Sequence, residues 1–422
     1  MQKKCIIYIS STNYKIVSAG TEKFMSGIIE AYKEKEVHSI QIFPMVNING
    51  IFEKLGLKKI YLGINCDGEF VGAYLLKNAI GGIEYICKKN NFSCSGVIIN
   101  QLHNWDLNQL SALLCVLELP IYIVIHDYMM ICPYLMSEDG NGLQCGLSIN
   151  RPSELHCVQC KYCNEELNYF ACMNSFLEKI EFLLKRIIFP SISAKNNWMN
   201  AFEKYLKYSV VRPHLIFSTV RIKRQLKKKI KIAYLGYISD FKGYSEWKKL
   251  IQNLDRNYFE FYYFGSYTEK AVNDGVNAVL VDFNRNDLIK MAQQLRNNDI
   301  DIVFLWSNCQ ETYSYTYYEA LEAGCFVITS THSGNITDQV RQNRNGICFE
   351  NIKDCIKYLS NLQGEIESLQ AVDIKNNTDL GDFTFDNTVS KNTKNIKAKK
   401  PCCFISLLYK KMRRPKSENK EK

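Results

Sequence analysis

The sequence lacks an uninterrupted apolar run long enough to cross a membrane. A transmembrane helix needs about 20 consecutive apolar residues, and the nearest candidate, residues 111–125, is interrupted by Glu118 and Pro120. The start of the chain, MQKKCIIYISSTN, turns polar after a short apolar stretch. That stretch is too short for a signal peptide and predicts a first β-strand instead. We therefore expect neither a membrane span nor a secretion signal.

The cysteines lack the pattern of a disulfide framework. There are 17 of them, an odd number, scattered through apparent strands and helices, and this favours a reducing cytosol. Five of them lie close together, the last three with the spacing C-x2-C-x2-C: Cys132, Cys145, Cys157, Cys160 and Cys163. Such spacing suits zinc or an iron–sulfur centre. Two interpretations stay open, a loop of free thiols or a structural metal held by Cys145, Cys157, Cys160 and Cys163. A catalytic metal is not expected.

The chain up to residue 390 has no excess of either charge. Residues 391–422 contain twelve Lys and Arg and two Glu, so this tail carries the whole net charge of +10. A neutral body argues against nucleic-acid binding, for which a basic face is expected.

Within the tail, an apolar stretch at residues 402–409 is flanked by basic clusters. Such a segment can lie in an anionic membrane surface, where each Lys or Arg contributes about 1 kcal/mol. The alternative is a disordered, solvated basic tail. We expect a cytoplasmic protein that is peripheral at the inner face of the membrane.

Short apolar strands alternate along the chain with amphipathic segments of helical length, as in parallel α/β sheets. The length, 422 residues of which 46% are hydrophobic, suits two domains. A basic run separates two series of strands, predicted at residues 4–10, 39–45, 96–100, 121–126, 187–191 and 209–212, and at residues 231–236, 259–265, 278–282, 301–306, 326–330 and 346–349.

This pattern predicts an α/β fold with two doubly wound halves. Such sheets bind ligands at the carboxyl ends of their strands, here in the cleft between the halves. We expect a first domain at residues 1–213, a linker at 214–229, a second domain at 230–372, a return segment at 373–390 and the basic tail at 391–422.

The most informative segment is residues 306–330, WSNCQETYSYTYYEALEAGCFVITS. Glu311 lies in a polar loop after an apolar strand, and Glu319 lies on a helix that begins near Ser314 and ends at Gly324. A helix in this position directs its N-terminal N–H groups and its positive dipole end at an anionic ligand. The glutamates stand eight positions apart, and eight residues of helix span about 12 Å. The two carboxylates can therefore hold opposite ends of one nucleotide-sized ligand.

The segment resembles the E-x7-E signature of the retaining glycosyltransferases of family 4, which have the GT-B fold of two Rossmann-like domains facing a cleft. Similar stretches extend the resemblance from residue 5 to roughly residue 370. It implies a nucleotide-diphosphate sugar as donor and no cofactor. By the same resemblance, Glu311 contacts the donor sugar and Glu319 the ribose, while the amides around Tyr313 and Ser314 face the diphosphate.

Three further residues match the family. Gly20, in SAGTEKF, implies contact with a phosphate or the acceptor, although an ordinary strand–helix turn would also use it. His126, in IVIHDYMMICP, matches the family's H-D motif and implies contact with the transferred sugar, although a lone histidine is more often structural. Lys242, before Gly243, implies a diphosphate ligand rather than a surface lysine. Tyr237 stands where many relatives have an arginine, which removes a bidentate phosphate contact.

These features predict a retaining glycosyltransferase that moves a sugar from a nucleotide-diphosphate sugar to a glycan or a lipid-linked acceptor. The first domain is expected on the acceptor side and the second on the donor side. Retention in this family is explained by attack on the same face of the sugar, so no enzymatic nucleophile is assigned. Two alternatives stay open. One is a sugar-nucleotide epimerase of the same fold class, and the other is a non-catalytic, membrane-docked subunit, for which Tyr237 is the hint.

Overall fold

The computed structural model describes residues 2–17, 19–57, 59–131, 169–225, 228–282, 290–379 and 396–412. Within these ranges the chain forms an eight-stranded sheet, a six-stranded sheet and a two-stranded ribbon.

The first sheet has the strand order β4-β3-β2-β1-β5-β6-β7-β8. Its strands are β1 (Lys3–Ile9), β2 (His38–Pro44), β3 (Tyr61–Cys66), β4 (Glu69–Leu75), β5 (Phe92–Ile99), β6 (Ile121–Val124), β7 (Leu184–Phe189) and β8 (Ser209–Val211). Its helices are α1 (Gly20–Lys33), α2 (Val46–Lys54), α3 (Ala79–Asn90), α4 (Leu107–Leu117), α5 (Tyr169–Ile180) and α6 (Ile192–Ala201).

The central strands of this sheet are parallel and covered on both faces. Along β1, Ile7 and Ile9 pack into one core, while Ile6 and Tyr8 pack into another. Parallel strands that are buried on both faces have almost continuously apolar sequences. Strands β3 and β4 form an antiparallel hairpin at one edge.

The second sheet has the order β12-β11-β10-β13-β14-β15, with every pair parallel. Its strands are β10 (Ile230–Leu235), β11 (Phe259–Gly265), β12 (Asn277–Leu280), β13 (Ile302–Phe304), β14 (Phe326–Ser330) and β15 (Gly346–Phe349). Its helices are α7 (Tyr244–Asn253), α8 (Thr268–Asn273), α9 (Met291–Asn297), α10 (Tyr315–Ala323), α11 (Asn335–Asn343) and α12 (Ile352–Ser360). The winding direction reverses between β10 and β13, where a doubly wound sheet opens a ligand-binding crevice.

Every strand predicted from the sequence is present within a few residues of its expected place. The α/β class and the two doubly wound sheets are confirmed. The hairpin of β3 and β4 was not predicted.

The segment predicted as a linker contains a long strand. β9 (Leu215–Gln225) pairs antiparallel with β16 (Glu365–Asn376), and Arg221 meets Glu367 across the ribbon at 3.4 Å. The basic run suggested an open connection, because the acidic strand that pairs with it lies far away in the sequence and nothing nearby indicates it. Residues 214–229 are therefore mostly a paired strand, while the domain boundaries stay a prediction.

The end of the chain returns to the first sheet. α13 (Cys403–Met412) packs on β4, where the N–H of Cys402 donates to the carbonyl of Ala73 at 2.8 Å. The N–H of Ala73 in turn donates to the Ser406 hydroxyl at 2.9 Å, and Ile405 is only 2% exposed. The alternative of a disordered, solvated tail is wrong for this helix, because β4 buries one of its sides. None of the helices in the described ranges combines the length and apolar character that a membrane-spanning helix requires.

Candidate active site

The carboxyl ends of the central strands in the second sheet place Glu311 and Lys242 side by side. Lys242 ends a short 3-10 turn after β10, and Glu311 lies between β13 and α10. The Lys242 ammonium forms an ion pair with Glu311 Oε1, which also accepts a hydrogen bond from the Ser307 hydroxyl at 3.0 Å. Desolvation is the largest single influence and lowers the pKa of Lys242, but the Glu311 charge, Cys309 and the hydrogen bond to Glu311 together outweigh it, so the pKa is raised. The lysine therefore remains a cation beside the carboxylate.

Two glycines allow the loops around this pair to approach each other closely. Gly243 has a φ of 75°, and a Cβ there would lie 1.8 Å from the carbonyl oxygen of Trp306. Gly334 has a φ of 61°, and a Cβ there would lie 2.6 Å from the backbone nitrogen of Glu311. Only glycine tolerates both this conformation and this proximity. The position of Glu311 therefore depends on backbone packing as well as on its ion pair.

Glu319 lies on the second turn of α10 and meets a lysine from the other half of the molecule. Lys23 of α1 is 2.6 Å from Glu319 Oε1, and its Nζ lies 4.6 Å from the centroid of the Tyr315 ring. Burial raises the pKa of Glu319, and the Lys23 charge offsets part of the rise. The second oxygen, Oε2, is buried without a hydrogen-bond partner among the described residues. A buried acceptor in this state is a place where a ligand hydroxyl can donate.

The N-termini of α1 and α10 face each other across the cleft. A Cβ on Gly20, the first residue of α1, would lie 3.8 Å from the ring of Tyr315, the first residue of α10. Ser314 occupies the N-cap position of α10, and its N–H donates to Asn335 Oδ1 at 3.4 Å. The Tyr313 side chain is buried. The positive ends of two helix dipoles therefore converge on one region of the cleft.

His126 follows β6 and lies beside the loop that carries Glu311. Its Nε2 is 3.2 Å from Asn100 Oδ1, and its carbonyl oxygen accepts from the Thr312 hydroxyl at 2.5 Å. Burial lowers the pKa of His126 to about 3. The ring is therefore neutral at physiological pH and serves as a hydrogen-bonding group, not as a cation. Asn100 Nδ2 is buried and has no partner in the described part of the chain.

Three residues at this cleft were not predicted from the sequence: Lys23, Asn100 and His214. Asn100 directly follows β5, at the same end of the sheet as His126 after β6, so its place at the end of a strand could have singled it out. Lys23 lies on the first turn of α1, close to Gly20, and could have been found as a charge beside a helix N-terminus. His214 is buried, with its ring centroid 5.1 Å from that of His126, and no sequence signal distinguishes it.

Tyr237 brings no positive charge to the position where the resemblance implies an arginine. It is exposed, and its ring packs edge-on against Tyr267 with the centroids 5.0 Å apart. The predicted cysteine cluster lies outside the described residues. Within the described ranges, no group of His, Cys, Asp and Glu side chains is arranged to hold a metal ion.

No protein-family model matches this chain, and no curated protein matches it. Solved structures are similar to it along almost their whole length. HepE from Anabaena, in complex with UDP, has a TM-score of 0.50 and 11% identity, covering 97% of this chain and 99% of its own. Sucrose-phosphate synthase from Thermosynechococcus elongatus has a TM-score of 0.51 and 12% identity, with coverages of 97% and 98%. A glycosyltransferase from Rickettsia africae has a TM-score of 0.51 and 13% identity, with coverages of 85% and 87%.

These similar structures are GT-B glycosyltransferases, and the chain shares their fold of two Rossmann-like domains. The GT-B architecture predicted from the sequence is therefore confirmed. Identities this low establish the fold alone, so membership of family 4 and the roles of the two glutamates stay predictions.

Proposed function

We propose that this chain is a retaining glycosyltransferase of family 4 that moves a sugar from a nucleotide-diphosphate sugar to a glycan or a lipid-linked acceptor. The observation that carries the proposal is the placement of two glutamate–lysine pairs around one helix. Glu311 with Lys242 precedes α10, and Glu319 with Lys23 lies on its second turn. A nucleotide sugar presents two phosphates and two sets of sugar hydroxyls. Ammonium groups suit the phosphates, and carboxylates suit the hydroxyls.

In the proposed reaction, the bond between the donor sugar and the diphosphate breaks while an acceptor hydroxyl attacks the same face of the sugar and gives its proton to the departing phosphate oxygen. The departing nucleoside diphosphate gains negative charge, and preorganised charges and dipoles aimed at that charge lower the barrier. Lys242 and the dipole of α10 supply this stabilisation. Glu311 orients the hydroxyls of the sugar, and no side chain acts as a nucleophile.

The remaining site residues orient the two substrates. The buried Oε2 of Glu319 accepts from a ribose hydroxyl, which gives this oxygen the partner that the described residues do not provide. The neutral His126, paired with Asn100, contacts the transferred sugar. Gly20 leaves room for a phosphate or for the acceptor where α1 and α10 meet.

The two halves divide the substrates between them. The domain at residues 1–213 binds the acceptor, and the domain at residues 230–372 binds the donor. A membrane location suits a lipid-linked acceptor, and the basic tail attaches the protein peripherally to the anionic inner face of the cytoplasmic membrane. No cofactor is required by this chemistry.

The similar structures suggest which donor to test first. HepE has been solved with UDP and with UDP and glucose, which supports uridine diphosphate sugars as the first probes for this chain. The base and the sugar are otherwise open, so a panel of donors with different bases belongs in the same experiment.

The test is turnover of radiolabelled nucleotide sugars in the presence and absence of glycan acceptors. We expect release of the nucleoside diphosphate and transfer of label to the acceptor, with the configuration at the labelled carbon retained. Interconversion of the sugar nucleotide without an acceptor would indicate the epimerase instead. Thermal stabilisation by nucleoside diphosphates without any turnover would indicate a non-catalytic subunit. Tyr237 is the residue that favours this alternative, because it stands where the resemblance implies an arginine.

A further inference from the structure

Helix α2 has apolar side chains that the core of the first half buries and others that it leaves exposed. Ile48 is buried, and Phe52, one turn later, packs against the same cluster. Ile51 and Leu55 are also one turn apart, but they are 42% and 66% exposed. A surface helix of a globular protein normally has polar residues on the side that faces away from the core. This helix is therefore apolar on two sides, only one of which the protein covers.

Helix α13 has the same property. Ile405 is buried, and Leu408 packs partly against the same cluster. Phe404 and Leu407, three residues apart on another side of the helix, are 72% and 60% exposed. The core thus buries one side of α13 and leaves two large apolar side chains exposed to solvent.

The two helices share a single small core. Ile48 of α2 and Ile405 of α13 belong to one buried cluster, and Phe52 and Leu408 pack against it. Both helices therefore pack over the strands β2, β3 and β4 at one edge of the first sheet. We call this surface the edge face and define it by its exposed apolar side chains, Val46, Ile51, Leu55, Leu57, Phe404 and Leu407.

The edge face is bordered by positive charge. Lys54 and Lys59 near α2 and Lys410 and Lys411 of α13 are exposed, and Glu53 is the one acidic residue in residues 46–60 and 402–412. The exposed lysines favour lipid over a protein partner, because protein interfaces are depleted in Lys. Phe and Leu side chains with surrounding lysines are typical of segments that lie in anionic membranes.

The edge face also adjoins the cleft. Tyr409 of α13 places its hydroxyl 3.5 Å from Asn13 Nδ2, in the loop that follows the carboxyl end of β1. Ligands bind at that end of the sheet. A surface that contacts lipid here would hold the acceptor side of the cleft next to the membrane.

We propose that the edge face is the membrane-docking surface of this protein, with α2 and α13 lying together in the headgroup region of an anionic bilayer. The proposal deepens the membrane attachment of the tail and rests on it. The tail is not a free tether but one half of a preformed surface, and α2, far away in the sequence, supplies the other half. Folding pre-positions both helices, so that docking does not have to order them.

The experiment is co-sedimentation of the full-length protein with phosphatidylcholine vesicles that contain or lack phosphatidylglycerol. One variant changes α2 alone, Ile51→Ser with Leu55→Ser, and a second changes α13 alone, Phe404→Ser with Leu407→Ser. A matched control, Phe182→Ser with Val272→Ser, removes two exposed apolar side chains elsewhere. We expect the wild type and the control to pellet with anionic vesicles only, and each helix variant to bind about tenfold or more weakly. Binding should also weaken as salt rises.

Three outcomes would overturn the proposal. If the α2 variant pellets like the wild type while the α13 variant does not, the tail alone binds the membrane. If neither variant loses binding, the edge face has no part in it. If the wild type does not bind vesicles but forms dimers that both variants abolish, the face binds a second copy of the chain. Thermal stabilisation by UDP, measured on the same samples, shows separately whether the proposed donor site is intact, because the changed residues lie outside the cleft.

Discussion

The two glutamate–lysine pairs of the cleft are built in different ways. Glu311 and Lys242 both belong to the second half, in neighbouring loops that packed glycines bring together. Glu319 belongs to the second half, but its partner Lys23 belongs to α1 in the first. One pair is therefore a property of a single domain, whereas the other exists only where the two halves meet.

The pairs also differ in how well their carboxylates are satisfied. Glu311 Oε1 accepts from both Lys242 and the Ser307 hydroxyl. Glu319 has one paired oxygen and one buried oxygen without a partner among the described residues. An unsatisfied buried acceptor costs free energy until a ligand donates to it. The comparison predicts that Glu311 serves the chemical step and that Glu319 serves binding.

The largest effect should come from Glu311→Gln. Loss of its charge beside the reacting sugar should lower turnover on the order of 100-fold, with little change in nucleoside-diphosphate binding. Turnover assays and calorimetry on the same variant measure the two quantities. Glu322→Gln is the control, because Glu322 lies on the same helix and forms a largely exposed pair with Arg296. A binding loss equal to that of Glu319→Gln would remove the division of roles.

Lys242→Ala should weaken nucleoside-diphosphate binding by about 1.5–3 kcal/mol, as expected for a hydrogen bond to a charged group. Nucleoside binding should change much less, because the ammonium group is aimed at phosphate. Calorimetry with UDP and with uridine measures both, and Lys249→Ala, on the exposed side of α7, is the control. If both ligands weaken alike, Lys242 only supports the fold.

Glu319→Gln should weaken uridine and UDP binding equally, by about 1–2 kcal/mol, because the contact that is lost is to the ribose. Calorimetry with both ligands measures this.

The Glu319→Gln variant should gain stability relative to the wild type as the pH rises. Burial raises the pKa of Glu319 in the folded state. Between the unfolded and the folded pKa of this group, the folded chain therefore binds more protons than the unfolded chain. The contribution of this group to the free energy of unfolding therefore falls as the pH rises through its raised pKa. Urea unfolding of both proteins at about pH 4 and about pH 7 tests the sign.

The smallest effect should come from Lys23→Ala. Lys23 is partly exposed, and exposed ion pairs contribute less than about 1 kcal/mol, so UDP binding should change by no more than that. Lys33→Ala, at the exposed far end of α1, is the control. A loss as large as that of Lys242→Ala would show that Lys23 binds the diphosphate itself and would erase the contrast between the two pairs.

Much of the fold could be predicted because its determinants are local. The strands of both parallel sheets are short apolar runs, and burial on both faces makes such runs easy to recognise. Glu311 and Lys242 were singled out through the resemblance to the family's motifs, and each lies a few residues after a strand that ends at the cleft.

The misses have a common physical cause, which is pairing between distant parts of the chain. β9 looked like a basic linker because the acidic side chains opposite it lie on β16, far along the chain, where Glu367 is the register partner of Lys223. Lys23 could not be connected with Glu319 because only the meeting of the two halves joins them. The tail could not be placed on β4, since nothing local to either segment indicates the other.

The docking of α13 on β4 has a consequence for how the chain is made. Synthesis completes the strands of the first half long before residue 402 emerges, and domains generally fold as units during synthesis. Until then, Ala73 on the edge strand has free hydrogen-bonding groups, and the cluster around Phe43 and Tyr61 is open where Ile405 will later insert. Exposed strand edges of this kind are prone to wrong pairing. The first half of the molecule is therefore completed only when residues 402–412 have been synthesised, and until then the nascent chain exposes the unpaired edge of β4.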